Sequence, residues 1–463
     1  MMKKLLYIIA VLFPLISGAQ QNWQRDVPSD FMWMNVGNAG FTTGEVDYTS
    51  LAFSSSGEPY VAFQDWTNYK RATVMKFNGT SWIVVGSAGF SAEEADYTSI
   101  AFNTFGEPYV AFTDSINSYK TTVMKFDGTN WVNVGNAGFS TGMAEYTSLS
   151  FSPSGEPYVA FKDFGNSSKA TVMKFDGINW VNVGAAGFSA GMVTYTSLAF
   201  SLSDSLPYVA YRDSGNSYKA TVMKFNGSSW VNVGVAGFSA GEVLSTSLAF
   251  NPSDNQPNVS YRDDANPNGK ATVMKFDGTN WVNVGNAGFS AGIAFYTSLA
   301  FSPSGQPYVA FVDGGNSAKE TVMKFDGINW VNVGVAGFSE GMAEYSRLAF
   351  SQSGQPFVAY QDYGNSGKAT VMKFDSVYVG IDERQDSRLS IYPNPSTDRI
   401  TIEISGTPKT SNLSIVNIEG QELISRQIND LKTILDITNL SSGVYFVRLT
   451  NNRSVEVGKF VKQ

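Results

Sequence analysis

One feature constrains this chain above all others: it repeats itself. Trp33, Trp82, Trp131, Trp180, Trp230, Trp281 and Trp330 recur at intervals of 49, 49, 49, 50, 51 and 49 residues. The pentapeptide Thr-Val-Met-Lys-Phe also occurs seven times, beginning at Thr73, Thr122, Thr171, Thr221, Thr272, Thr321 and Thr370. In the third copy, four runs (146–151, 157–163, 169–175 and 180–184) are separated by Gly-, Pro-, Asn- and Ser-containing turns, which reads as two hairpins. A twisted four-stranded sheet buries both of its faces only between neighbouring sheets, so units of 40 to 50 residues with four short strands predict propeller blades. The expected fold is all-β, a seven-bladed β-propeller over residues 33–375. The likeness to propellers of secreted bacterial proteins and lectins is architectural only, since Kelch and WD signatures are absent.

The ends of the array predict how the ring closes. Trp33 has no Thr-Val-Met-Lys-Phe strand before it, and Thr370 has no tryptophan strand after it, so residues 33–37 are expected as the outer strand of the blade formed by 345–374. Composition narrows the chemistry. The chain has no His and no Cys, which removes disulfides, thiolate nucleophiles, Ser-His-Asp triads and imidazole or thiolate metal sites. With 32 Lys+Arg against 40 Asp+Glu and a net charge of −8, it lacks the basic footprint of a nucleic-acid partner.

Near-identical blades provide their own control: a residue present in every copy serves the blade, and departures point to a site. The tryptophans are expected as packing between blades and the Met-Lys-Phe lysines, such as Lys174 and Lys324, as structural residues. The loop pattern Asp163, Asn166, Lys169, repeated at Asp213, Asn216 and Lys219, offers too few carboxylates for Ca²⁺, which takes six to eight oxygens. It reads instead as a turn in which Asp caps backbone N–H groups and pairs with Lys. No metal and no cofactor is expected. The departures lie in two loop positions expected on one face, at the mouth of the central channel. The residue before the first strand is acidic at Asp47, Asp96, Glu145 and Glu344, in contiguous blades. The residue after the loop aspartate is aromatic at Trp66, Phe164 and Tyr363, in the same half. Lys162, Arg212 and Arg262 fall in blades three to five, so the face should be electrically lopsided.

The two ends read differently. Residues 1–19 combine Lys3 and Lys4, an apolar run over 5–16 and Ser17-Gly18-Ala19, which predicts a cleaved secretory leader, with 20–32 as an N-terminal segment and no membrane span in the mature chain. After about Asp375 the period is lost, and 376–388 reads as a polar linker. Residues 389–463 then alternate apolar and polar residues in short runs, predicting a small β-sandwich. Within it, Tyr392-Pro393-Asn394-Pro395-Ser396, Asn417-Ile418-Glu419-Gly420-Gln421-Glu422-Leu423, Leu440-Ser441-Ser442-Gly443-Val444-Tyr445-Phe446-Val447 and Lys459-Phe460-Val461-Lys462 resemble the type A sorting domain of type IX (Por) secretion. That resemblance implies Sec export, passage through the outer membrane by the type IX machinery, action of a surface sortase, and a product that is released or surface-attached.

Aromatic rings beside carboxylates suit neutral sugars, the ring stacking on C–H groups and the carboxylates accepting from hydroxyls. Trp66, Phe164, Tyr363, Asp47, Asp96, Glu145 and Glu344 are therefore the candidate ligand-binding residues of a non-catalytic glycan- or glycoprotein-binding or adhesion module. Two alternatives stand beside it: a glycosidase using a carboxylate pair about 5 Å or 6.5–9.5 Å apart, and a purely structural protein-docking module.

Overall fold

The computed structural model describes residues 31–266, 269–376, 389–404, 411–418, 421–450 and 455–463. The expected leader, the N-terminal segment up to residue 30 and linker residues 377–388 lie outside the described residues. Chain contacts divide the protein into two compact units, residues 1–377 and 378–463.

The first unit is a seven-bladed β-propeller of four-stranded antiparallel sheets. In the third blade the strands run Ala144–Phe151, Pro157–Asp163, Lys169–Phe175 and Trp180–Asn182, hydrogen-bonded in chain order. Its second strand is buried almost throughout because sheets cover it on both faces. The innermost strand begins two residues earlier than the alternation suggests. A β-bulge between Glu145 and Ser148 interrupts the pattern and hides the strand's first residues.

Each apolar cluster draws on two adjacent blades. Tyr109 and Ala111 of the second blade, for example, pack with Phe161 and Trp180 of the third. The tryptophans make this joint: Trp180 stacks on Phe139 at 4.2 Å and donates from Nε1 to the Val134 carbonyl at 2.7 Å. The seventh sheet is assembled from both ends of the array, with Phe31–Asn35 pairing antiparallel to Lys368–Ser376 so that Trp33 stands opposite Phe374. Val36, Val46 and Trp82 share a further cluster with Phe357, Ala359 and Val371, which places the seventh sheet against the first.

The loop aspartate behaves as a cap, with one correction. Asp163 accepts from Gly165 N at 3.0 Å, from Asn166 Nδ2 at 2.7 Å and from Thr171 Oγ1 at 3.0 Å. The expected Asp–Lys ion pair does not form, because Asn and Thr already occupy the buried carboxylate and Lys169 meets it only across the backbone ladder. Lys174 instead pairs with Glu156 at 2.9 Å, its ammonium lying 5.8 Å from the Tyr158 ring.

The second unit holds two sheets. One is Leu389–Tyr392, Arg399–Ile404 and Lys432–Asp436; the other is Glu422–Ile428, Ser411–Val416, Gly443–Thr450 and Val455–Lys462 in hydrogen-bonded order. Ile400, Ile402, Leu413, Ile415, Val447 and Phe460 form its fully buried core. Glu422–Ile428 is a strand that the alternation does not reveal, since it is an edge strand with mostly exposed side chains.

Candidate functional site

The bulge in each innermost strand decides what faces the channel. Tyr48, Tyr97, Tyr146, Tyr195, Tyr296 and Tyr345 all have φ between 52° and 57°, the left-handed region, with Ser245 in the fifth blade. For a non-glycine residue that backbone costs roughly 1 kcal/mol or more, and surrounding structure must hold it. A threonine of the next blade does so in six cases, its hydroxyl donating to the carbonyl of the strained residue, as Thr49 does to Tyr345 at 2.6 Å. The phenol rings thereby form a collar with centroids 4.7 Å apart between Tyr48 and Tyr97 and 5.0 Å between Tyr48 and Tyr345. Ser245 interrupts it between Tyr195 and Tyr296. A cavity of about 130 Å³ follows, lined by the tyrosines, their threonines, Ser245 and Arg347. Burial raises the pKa of these phenols, that of Tyr146 to about 12.

Five of the seven residues singled out in the sequence come together beside this collar, on blades seven, one and two. Asp47 accepts from Trp66 Nε1 at 2.8 Å and from Gln361 Nε2 at 3.3 Å. Glu344 receives the Tyr296 hydroxyl at 3.5 Å, and its carboxyl is pushed above the usual range by burial and by the charges of Asp47 and Glu45. Asp96 accepts from Gln64 Nε2 at 2.5 Å and is likewise raised, chiefly by burial and then by Glu94. Tyr363 is raised by burial and by Glu344, Glu45 and Asp47, which puts its hydroxyl at the same cluster. Trp66 and Tyr363 are 45% and 43% exposed, with the Lys70 ammonium 4.6 Å over one face of the Trp66 ring.

Phe164 and Glu145 stand apart from that cluster. Lys162 bonds Glu145 at 2.9 Å and lies 4.4 Å from the Phe164 ring centre, so it occupies both. Arg212 pairs with Glu242, and Arg262 with Asp264 at 2.8 Å. The cations of blades three to five are thus matched by carboxylates, whereas Asp47, Asp96 and Glu344 accept only from neutral donors among the described residues. Sequence reasoning missed Glu45, Glu94 and Gln361, and Lys70, which bonds Glu94 at 3.0 Å and covers the Trp66 ring at 4.6 Å. It missed the tyrosine collar as well, because a residue repeated in six blades reads as structural. The available signals were the two departures, Ser245 and Arg347. Among the described residues, no group of three or more Asp or Glu is arranged to hold a metal ion.

In the second unit, the motifs singled out in the sequence hold one another. Asn394 donates from Nδ2 to the Lys459 carbonyl at 3.0 Å, and its Oδ1 receives Val461 N at 2.9 Å. Ser396 N donates to the Val461 carbonyl at 2.9 Å and Gln463 N to the Ser396 carbonyl at 3.0 Å, and Tyr445 stacks on Phe460 at 5.6 Å. The family model described as "Secretion system C-terminal sorting domain" matches residues 390–463. These residues are a type IX sorting domain. The sorting domain makes the protein a substrate of the type IX machinery and places it outside the cell or on the outer-membrane surface. No helix among the described residues is long and apolar enough to cross a membrane.

The comparison with curated proteins finds no match. Among solved structures, a polysaccharide lyase, an ulvan lyase, is similar at TM-score 0.50 and 12% identity over 74% of this chain and 96% of its own. PorZ, a surface component of the type IX system of Porphyromonas gingivalis, matches at TM-score 0.47 and 14% identity, covering 93% of this chain and 61% of that one. The SapL1 lectin, solved with α-methyl fucoside, matches at 0.44 and 14% over 63% and 97%. At such identities the likeness concerns the fold alone.

Proposed function

We propose that the propeller is the passenger and works as a non-catalytic glycan-binding module at the cell surface or in the medium. Residues 1–19 would be the leader, 33–375 the passenger, and 376–388 the linker in which the sorting domain is cut away. The observation that carries the reading is the cluster of Trp66 and Tyr363 with Asp47, Asp96 and Glu344. Two exposed aromatic rings lie beside half-buried carboxylates that form no ion pair among the described residues, although the charge of Lys70 reaches Asp47 and Asp96; the chemistry suits C–H stacking and hydroxyl donors. Phe164 and Glu145 would extend the surface only if a ligand displaced Lys162.

The test is a glycan and polysaccharide screen of the full chain, followed by reducing-sugar release on each hit. Trp66→Ala and Tyr363→Ala are each expected to weaken binding by ten-fold or more while the far-UV spectrum stays unchanged. Undiminished binding in both variants would sink the platform. Sugar release by the parent that disappears in Glu344→Gln would favour the glycosidase reading, for which the raised carboxyl of Glu344 beside Asp47 is the motivating feature.

A further inference from the structure

Arg347 breaks the blade pattern in the channel wall. Six blades carry serine at its position, namely Ser50, Ser99, Ser148, Ser197, Ser247 and Ser298. In each, the hydroxyl oxygen accepts the backbone N–H of the apolar residue in the next blade at 3.0 or 3.1 Å. A guanidinium has no acceptor and cannot take over this role. Its side chain instead reaches the collar cavity, where it is open to solvent within the channel.

The charge is unanswered. Its one hydrogen bond runs from Nη1 to the carbonyl of Ser346 at 3.1 Å. No carboxylate of the described residues makes an ion pair with it, and no aromatic ring face covers it. Its pKa is pulled down by desolvation, with Tyr296 alone acting in the other direction. The acids at the channel mouth make no ion pair with it among the described residues, although Glu344 is only three residues away on the same strand. A solvent-facing guanidinium without a protein partner is free to take an anion, and its fork of N–H donors matches the oxygens of carboxylate or sulfate. Around it stand the phenols of Tyr48, Tyr97, Tyr146, Tyr195 and Tyr345, whose hydroxyls are protonated at neutral pH, whereas that of Tyr296 is given to Glu344.

We infer that Arg347 and the tyrosine collar form a binding site for a single oxyanion group, a carboxylate or sulfate. The cavity of about 130 Å³ suits one such group rather than a polyanion, and the acidic mouth disfavours densely charged chains. The site adjoins the Trp66 and Tyr363 platform, where Tyr296 of the collar donates to Glu344, but its anion ligand is Arg347, and it stands whether or not that platform binds sugar.

The experiment is calorimetric titration of the full chain with sodium sulfate and with sodium acetate in a chloride-free buffer. Collar tyrosine fluorescence serves as the second readout. Wild type is expected to bind one equivalent. Arg347→Ser restores the residue of the six sister blades, so it keeps the fold, and it is expected to weaken binding at least ten-fold; Arg347→Lys should retain part of it. The sulfate titration and the glycan screen are read independently on the same wild-type protein, which separates failure of this site from failure of the platform. Equal affinity in Arg347→Ser, or no saturable binding by wild type, would overturn the assignment.

Discussion

Glu320→Gln is expected to stabilise the propeller increasingly as pH rises from about 5 to 8. Glu320 is fully buried in the third strand of the sixth blade, where the sister blades carry Ala72, Thr121, Ala170, Ala220, Ala271 and Ala369. Its Oε1 receives the Ser346 hydroxyl at 2.6 Å, and its Oε2 has no partner. Burial pushes the carboxyl up to about 8, whereas in the unfolded chain it titrates near 4.3. Between these values the folded state holds a proton that the unfolded state has released. Stability therefore falls with rising pH, by up to roughly 1.4 kcal/mol per pH unit, and levels off above 8. The glutamine variant lacks this titration. The gap between variant and wild type should open to about 3–5 kcal/mol by pH 8, measured by urea unfolding at pH 5, 6.5 and 8. Glu320→Ala, the residue of most sister blades, should show the same trend. Parallel stability profiles would remove the buried carboxyl as a titrating group.

Trp33→Ala should be the most damaging of the tryptophan substitutions. Trp33 stacks on Phe338 at 4.3 Å, touches Phe374 at 5.5 Å and donates from Nε1 to Val333 O at 2.7 Å. Truncating a buried tryptophan costs about 3–5 kcal/mol from lost burial and the cavity left behind. Trp180→Ala loses the same contacts, yet its strand follows the third by a tight turn and stays in place. The strand of Trp33 joins its sheet from the far end of the array, so detachment adds to the loss. Hydrogen exchange should show protection vanishing along Lys368–Ser376 in Trp33→Ala, with no matching loss along Lys169–Phe175 in Trp180→Ala. Equal, local effects in both variants would contradict this.

The sequence makes the blades legible because each copy repeats the same strand, turn and packing residues, and the unmatched Trp33 points to its partner strand 300 residues or more away. The acidic and aromatic departures were visible too, although Asp47, Asp96, Glu145 and Glu344 lie in the bulged start of the first strand rather than in the loop expected before it, and five of those seven residues meet. Phe164 and Glu145 did not join them, because Lys162 of the same blade engages both. The collar escaped notice for a different reason. A bulge turns Tyr146 and its counterparts from the strand's alternation into the channel, and no period reports a bulge. Glu320 and Arg347 were departures of the same kind as Asp47, which also proves to lie inside a strand, but only the fold shows that one is buried without a charge partner and the other faces the channel.

The seventh sheet also sets an order of events. Trp33 meets Val333 across 300 residues of chain, and bringing ends that far apart together costs about 5 kcal/mol of chain entropy before any contact repays it. At roughly 5–20 residues per second of synthesis, the Phe31–Asn35 strand waits about 17–70 s for its partner to exist. Through that interval the chain carries an unpaired strand with Trp33 uncovered, which favours aggregation if folding runs ahead and favours an unfolded, threadable state if it does not. A passenger built this way completes its fold only after its last repeat is free, so the timing of folding is tied to delivery of the segment next to its sorting domain.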